Sequence, residues 1–288
     1  MKRWVPFVLI VLLATAALVF SERRALNVTI GPRALMYWLG DTEREVTRVP
    51  ARVARLSDHD EIALGDQLAV RYARPISESD RAMQSYVELV GMRLSLHATR
   101  KLPFRFHYIP DRSFENAFAL PGGHVFIGAG LIAHMQTEDE LASVLGHEVE
   151  HIDRYHCAEL AQVETASRSM GVIGALAALP VELFMAGYSK QQELEADREG
   201  VRLAVLSGYS PYGARNVMDR FAKIHAEEVK QSAAGSPVGE VVNVPLQSLS
   251  EYFRSHPGGE ERVAAIDGLI TSQHWQNRHA EKPLKVRA

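Results

Sequence analysis

The spacing of apolar residues changes several times along the chain, and each change marks an element. From Ser79 onward Met83, Tyr86, Val87, Val90 and Leu94 recur at intervals of three and four, which predicts an amphipathic helix. Between Pro103 and Pro110 the period drops to two. Phe104, Phe106 and Tyr108 fall on one side, the pattern of a half-buried strand. Asn116 to Leu120 is a second short strand; Pro121-Gly122-Gly123 breaks it and His124 to Ile127 resumes an extended run, so the pair reads as a hairpin or a kinked edge strand. Thr137 and Glu140 have the spacing of a capping box, in which the Thr hydroxyl accepts one orphan N–H and the Glu reaches back to another. Leu141, Val144, Leu145, Val149 and Ile152 then make a single apolar stripe on the helix so opened. Gln191 to Ser207 is helical and closed by Gly208, and Ser210-Pro211 opens a further helix. Residues 231–250, with Gly, Ser, Pro and Val in no clear period, read as a surface loop.

Two longer apolar stretches raise the question of a membrane. Trp4 to Phe20 carries no charge and is flanked by Lys2 and Arg3 before it and Arg23 and Arg24 after it. Its length is at the short end for a bilayer span and long for the core of a cleaved leader. Ala14-Thr15-Ala16 offers a cleavage pattern, but Leu18, Val19 and Phe20 continue the run past it. Residues 1–24 are therefore expected to be a membrane anchor, with a cleaved signal peptide as the alternative. No cysteine follows the run, which excludes a lipoprotein anchor. Met170 to Gly187 is apolar and rich in Ala and Gly, but Pro180 and Glu182 interrupt it, so it reads as a core helix or helix pair. Residues 25–78 are expected to be a linker or small N-terminal region, residues 79–275 the main domain, and residues 276–288 a tail.

Composition narrows the chemistry. The chain has 288 residues, 47% hydrophobic and 23% charged, which suits folding around a core. A formal net charge of -3 gives no electrostatic reason to expect a nucleic-acid partner. Cys157 is the single cysteine, so the chain can form neither an intrachain disulfide nor a cysteine-based zinc knuckle. A metal site would have to be built from histidines and carboxylates.

His147-Glu148-Val149-Glu150-His151 offers such a site. On a helix, residues four apart project from one face a turn apart, so two imidazoles can share one tetrahedral Zn²⁺. Glu148, on the neighbouring edge of that face, can take a proton from a water that the metal has acidified. A third protein ligand and an open position are still needed. Glu193-Leu194-Glu195-Ala196-Asp197 supplies carboxylates on a second helix. Glu193 and Asp197 share a face; one can bind the metal while the other holds the outer N–H of a ligand histidine.

The chain resembles the membrane-associated gluzincins of metallopeptidase family forty-eight, which includes the CAAX prenyl proteases. The resemblance spans roughly residues 80–270 and rests on four blocks in order: Asn116-Ala117-Phe118-Ala119-Leu120-Pro121-Gly122-Gly123 with His124 to Ile127 and Gly130-Leu131-Ile132; His147 to His151; Glu193-x-x-Ala196-Asp197; and Ser255-His256-Pro257 followed by Arg262. Arg154 and His156 also fit. The resemblance implies an α+β fold, a mainly helical zincin domain with a small sheet whose edge strand lines the cleft. It implies one Zn²⁺ per chain held by His147, His151 and Glu193, with Glu148 as base, Asp197 behind His147 and Glu195 as an exposed bystander. His256 resembles the histidine that in some relatives moves onto the zinc as a fourth ligand and holds the enzyme inactive; the alternatives are a helix cap near Pro257 or a hydrogen bond to the oxyanion. Arg262 is expected to support this loop or the wall of the site. Gly122, Gly123, His124, Val125 and Phe126 are expected to be an exposed edge that binds an extended substrate as an added strand. His107, His124, His134 and His225 have no motif support and read as structural or exposed, and Glu150 as exposed. A single convincing membrane segment departs from the multi-span prenyl proteases. The implied function is a membrane-anchored zinc metalloendopeptidase on the periplasmic side of a bacterial inner membrane, acting on misfolded or misassembled envelope proteins, with a mitochondrial inner membrane as the lesser alternative. The competing class is an envelope chaperone or adaptor with structural zinc; Glu148 argues against it, because a structural site needs no base.

Overall fold

In the structure, a computed structural model, residues 56–70, 72–160, 187–234, 249–256, 259–279 and 281–285 are described. The apolar run of residues 4–20, residues 170–186 of the second apolar stretch and residues 235–248 of the expected loop lie outside them. Among the described residues no helix is long and apolar enough to cross a membrane.

Helix α1 (Asp58–Ala69) starts where the Ser57 hydroxyl accepts the Asp60 N–H, and α2 (Arg81–Ser95) follows. The five apolar residues that predict α2 are all buried in it. Strands β1 (Arg105–Ile109), β2 (Ala117–Leu120) and β3 (His124–Gly128) form one sheet in the order β1-β3-β2. β2 and β3 are antiparallel, and β1 runs parallel to β3 with Arg105 opposite His124. The hairpin expected at Pro121–Gly123 therefore forms. Its turn needs glycine twice, because Gly122 has φ 76° and Gly123 φ 109°. A side chain at either would also meet backbone, of Ile62 at 2.6 Å and of Pro103 at 2.8 Å. A short helix α3 (Ala129–Ala133) leaves the sheet.

One expectation about this region is corrected. β3 is not an exposed edge: it is paired on both sides and all five of its residues are buried, so Gly122, Gly123, His124, Val125 and Phe126 offer no free backbone to a substrate. The free edge on that side of the sheet is β2. The segment expected to be a linker or small N-terminal region contains α1, which packs on the hairpin turn and presents the buried Glu61 carboxylate to the Gly122 N–H at 3.1 Å. At the other end, the segment expected to be a tail is tied to the domain, with Lys282 accepting the Glu138 N–H and Pro283 bridged to Thr137.

Helix α4 (Glu138–Asp153) is buried along its whole length. The Thr137 hydroxyl caps it at 3.2 Å, but the second arm of the capping box does not form as expected: Glu140 takes the Gln136 N–H and Arg220, each at 2.6 Å. Acidic residues at both ends of the helix are likewise answered. Glu138 accepts from Tyr86 and Tyr209, and Asp153 accepts the Thr99 and Arg100 N–H groups. Burying these carboxylates is tolerable because each has a donor, and Glu148 alone on α4 has none among the described protein groups. Glu150, expected to be exposed, is buried too and bonds Arg154 at 3.1 Å.

Helix α5 (Lys190–Leu206) crosses α4, with a Ser189–Gln192 capping box at its start. It ends as expected: Gly208 has φ 82°, Tyr209 donates to the Ala204 carbonyl and Gly208 to that of Val205, a Schellman closure. The two helices touch at Gly146 and Gly200, where the Gly146 Cβ position is 3.1 Å from the Gly200 carbonyl oxygen. Any larger residue would separate them. Helix α6 (Tyr212–Ala234) extends into the stretch expected to be loop, and α7 (Ser250–Ser255) and α8 (Gly259–Ser272) complete the described elements.

Candidate metal centre

The Gly146–Gly200 crossing sets up the site. His147 and His151 lie on α4 at and one turn beyond the contact, and Asp197 and Glu193 lie on α5 one and two turns before it. The two pairs are thus brought face to face. The two imidazoles approach with Nε2 to Nε2 at 2.9 Å, and the Glu193 oxygens lie 3.4 Å from each of those nitrogens. His256, at the end of α7, adds its Nδ1 at 3.2 Å from His147 Nε2 and 3.3 Å from both Glu193 oxygens. Ligand atoms of these four buried residues lie within 4.8 Å of one another.

The donor set fits a divalent ion. Around a tetrahedral zinc with bonds of about 2.0–2.1 Å, neighbouring ligand atoms are roughly 3.3 Å apart, close to the spacings here. His147 Nδ1 faces Asp197 Oδ1 at 2.9 Å, which directs the proton to Nδ1 and a lone pair to Nε2. Two imidazole lone pairs and a carboxylate aimed at one point repel unless a cation stands between them.

Charge in the site is organised by Arg262, which is buried. It donates to both oxygens of Asp197 at 2.6 and 2.7 Å, to the His256 carbonyl at 3.1 Å, and lies 3.0 Å from Glu193. Burial opposes ionisation of Asp197, but Arg262 and His147 outweigh it and hold its carboxyl down at about 2. The same contest at Glu193 is decided by His256, Arg262 and His147, and its carboxyl lies well below the usual range. For His147, burial works against the charged ring, yet Asp197 and Glu193 raise it to about 9 through the protein groups alone. Glu148 differs. Burial pushes its carboxyl up, and His256 and His147 offset this only in part. Neither of its oxygens has a hydrogen-bond partner among the described protein groups, and Oε1 lies 3.3 Å from His256 Nε2.

The residues named from sequence thus divide. His147, Glu148, His151, Glu193, Asp197, His256 and Arg262 come together. Gly122 to Phe126 do not. His124 turns instead toward Asp66 at 2.8 Å and His107 at 3.0 Å. The strand that reaches the site is the edge strand β2, whose Ala117 carbonyl is 3.4 Å from His256 Nε2. Glu195 is no bystander, since its carboxylate is 3.6 Å from His156. Sequence reasoning missed Tyr188, whose ring stacks on His151 at 3.7 Å between centroids; it lies outside every motif, and only the nearness of α5 hints at it.

Comparison with known proteins agrees with this geometry. Residues 78–270 match the model of Peptidase family M48. The chain is 28% identical over 187 residues to the beta-barrel assembly-enhancing protease of Escherichia coli K12, covering 57% of this chain and 38% of that protein. It is 26% identical over 215 residues to the mitochondrial metalloendopeptidase OMA1 of Schizosaccharomyces pombe, covering 70% and 55%. It is 30% identical over 164 residues to the metalloprotease LoiP of Escherichia coli K12, covering 52% and 57%. The chain spans less than two fifths of the length of the bacterial assembly-enhancing proteases. With the family's motif blocks converging on one four-donor centre, the chain belongs to peptidase family M48, a family of zinc-dependent metallopeptidases.

Proposed function

We propose that the protein is a zinc metalloendopeptidase in which His147, His151 and Glu193 hold the metal and Glu148 is the base. The observation that carries this reading is the convergence of two imidazoles and a carboxylate from a separate helix beside a buried carboxylate with no protein hydrogen-bond partner. Zinc, when bound, supplies the Lewis acidity that polarises a peptide carbonyl and acidifies water. Glu148 receives the proton of the attacking water and delivers it to the departing amine; its raised carboxyl pKa suits both halves of that transfer. Asp197 fixes the tautomer of His147, and Arg262 fixes Asp197. An extended substrate pairs with the outer edge of β2, which aligns its backbone with the site without demanding a sequence.

His256 closes this arrangement. Its Nδ1 takes the fourth corner of the donor set and its Nε2 lies against Glu148, so it occupies the place of water and covers the base together. This favours a resting form with little proteolysis, the one respect in which the chaperone or adaptor reading has support. Replacing His256 with Ala is expected to raise proteolysis; unchanged or lower activity would refute the switch.

The substrates we assign are misfolded or misassembled envelope proteins, by kinship with proteins named as beta-barrel assembly-enhancing proteases. Residues 4–20 anchor the chain in a bacterial inner membrane, with the catalytic domain on the periplasmic side. The deciding experiment is Glu148→Gln. It is expected to retain one zinc per chain and to lose cleavage of an unfolded protein such as casein by at least about 100-fold, the low end of a general base's contribution. Cleavage at the wild-type rate would overturn the mechanism.

A further inference from the structure

The two imidazoles of the centre are backed differently. The outer nitrogen of His147 meets a carboxylate, Asp197. The outer nitrogen of His151 meets another imidazole: its Nδ1 lies 3.0 Å from Nδ1 of His156, with both rings buried. His156 in turn has its Nε2 3.6 Å from the Glu195 carboxylate. Histidine five residues after a ligand is off the face that a continuous helix would present. It comes round because α4 stops at Asp153 and Tyr155 takes a left-handed backbone, φ 64°, before the next helical residues begin at His156. A tyrosine holds that conformation only when its surroundings impose it. Here the ring lies over the Arg100 guanidinium, 3.8 Å from its centroid, and Arg100 is itself fixed by Glu61 at 2.6 Å and the Ile152 carbonyl at 2.9 Å.

We infer that His156 is the positioning residue for His151: it accepts the His151 Nδ1 proton on its own Nδ1, directs its remaining N–H toward Glu195, and so presents the His151 Nε2 lone pair to zinc. The inference rests on the metal centre proposed above. Tyr188, stacked on His151, sets the plane of that ring, and His156 sets its rotation within the plane. The strained turn at Tyr155 is the device that aims His156, and the Arg100 cluster that holds it reaches α1 through Glu61. Hence α1, outside the matched family segment of residues 78–270, contributes to the metal centre through Arg100, Tyr155 and His156.

The test compares two variants of the full chain. His156→Asn places an amide oxygen where Nδ1 stood and keeps the acceptor; His156→Phe keeps the ring volume and removes it. Zinc dissociation constants are read by competition with a chromophoric chelator, and the ligand field by the absorption spectrum of the cobalt-substituted protein. His156→Asn is expected to bind zinc within a few-fold of wild type. His156→Phe is expected to bind 10–100-fold more weakly, with an altered cobalt spectrum, the usual effect of removing a partner behind a ligand. A merely structural role would lower the melting temperature of both variants and leave cobalt spectra alike. Equal zinc affinity in the two variants would overturn the inference, as would an unchanged cobalt spectrum in His156→Phe. His147→Ala separates this from the larger reading: if it too binds zinc like wild type, the metal centre itself is wrong; if it loses zinc while His156→Phe does not, only the role of His156 falls.

Discussion

Two clusters of histidines lie within this fold, and they have opposite electrostatics. At the helix crossing, His147 is driven up to about 9 despite burial, because Asp197 and Glu193 face it. At the sheet, His107 is driven down to about 4 by burial and then by repulsion from His124 and Arg105. His107 stacks on Phe126 and His124, with ring centroids 4.3 and 5.2 Å away. The single carboxylate bonded there among the described residues, Asp66, lies on the far side of His124 and is half exposed. Pairs of histidines are therefore not what distinguishes the metal centre. What distinguishes it is a second helix that delivers carboxylates, ionised by a buried arginine, to the same point.

That contrast breaks most readily at the carboxylates. Glu193→Ala removes one of the three proposed ligands and one of two carboxylates that balance buried Arg262. It is expected to abolish stoichiometric zinc binding, measured by metal analysis after dialysis, and to cost about 3 kcal/mol in denaturant unfolding, as breaking a buried pair does. Asp66→Ala in the sheet cluster is expected to cost under about 1 kcal/mol, since Asp66 and its partner Arg105 are both half exposed and solvent screens the pair. Equal costs would mean that the crossing owes nothing special to its charges. Asp197→Asn is a gentler probe. It keeps the shape and removes the charge behind His147, so zinc affinity should fall about 10–100-fold while the fold persists. Unaltered affinity in a chelator competition would place Asp197 among the purely structural residues.

The centre was legible from sequence wherever its logic is local. His147 and His151 four apart, beside an apolar stripe, fix their own relation on a helix, and Glu193 and Asp197 do the same on α5. Relations set by packing were not legible. Helix α1 buries Glu61, Gly65 and Ala69, an i, i+4, i+8 stripe of one charge and two small residues whose first two members meet the turn backbone, and it gives no apolar period. The order β1-β3-β2 depends on which strand β1 chooses, so alternation alone left β3 as an edge; its wholly buried HVFIG pattern is that of a central strand. Glu150 looked exposed because it is charged, but no face of α4 is free. His156 could not be placed, because its approach to His151 depends on one left-handed residue.

The smallest expected effect lies in the pH dependence of stability at the sheet cluster. The His107 ring, held at about 4 in the fold against an ordinary value near 6.5, is neutral in the folded protein across the interval where the unfolded chain binds a proton. Its contribution is complete above pH 6.5 and is lost as the pH falls from there through about 4. Because the ring is only half-buried, solvent screens the effect, and the loss should be on the order of 1 kcal/mol. His107→Gln cannot titrate, so the difference in unfolding free energy between it and wild type should be constant above pH 6.5 and shift in favour of the variant toward pH 4. Zinc binding near neutral pH should be the same in both. A difference that stays flat over that interval would show that His107 is charged in the fold, and the two clusters would then no longer be electrostatic opposites.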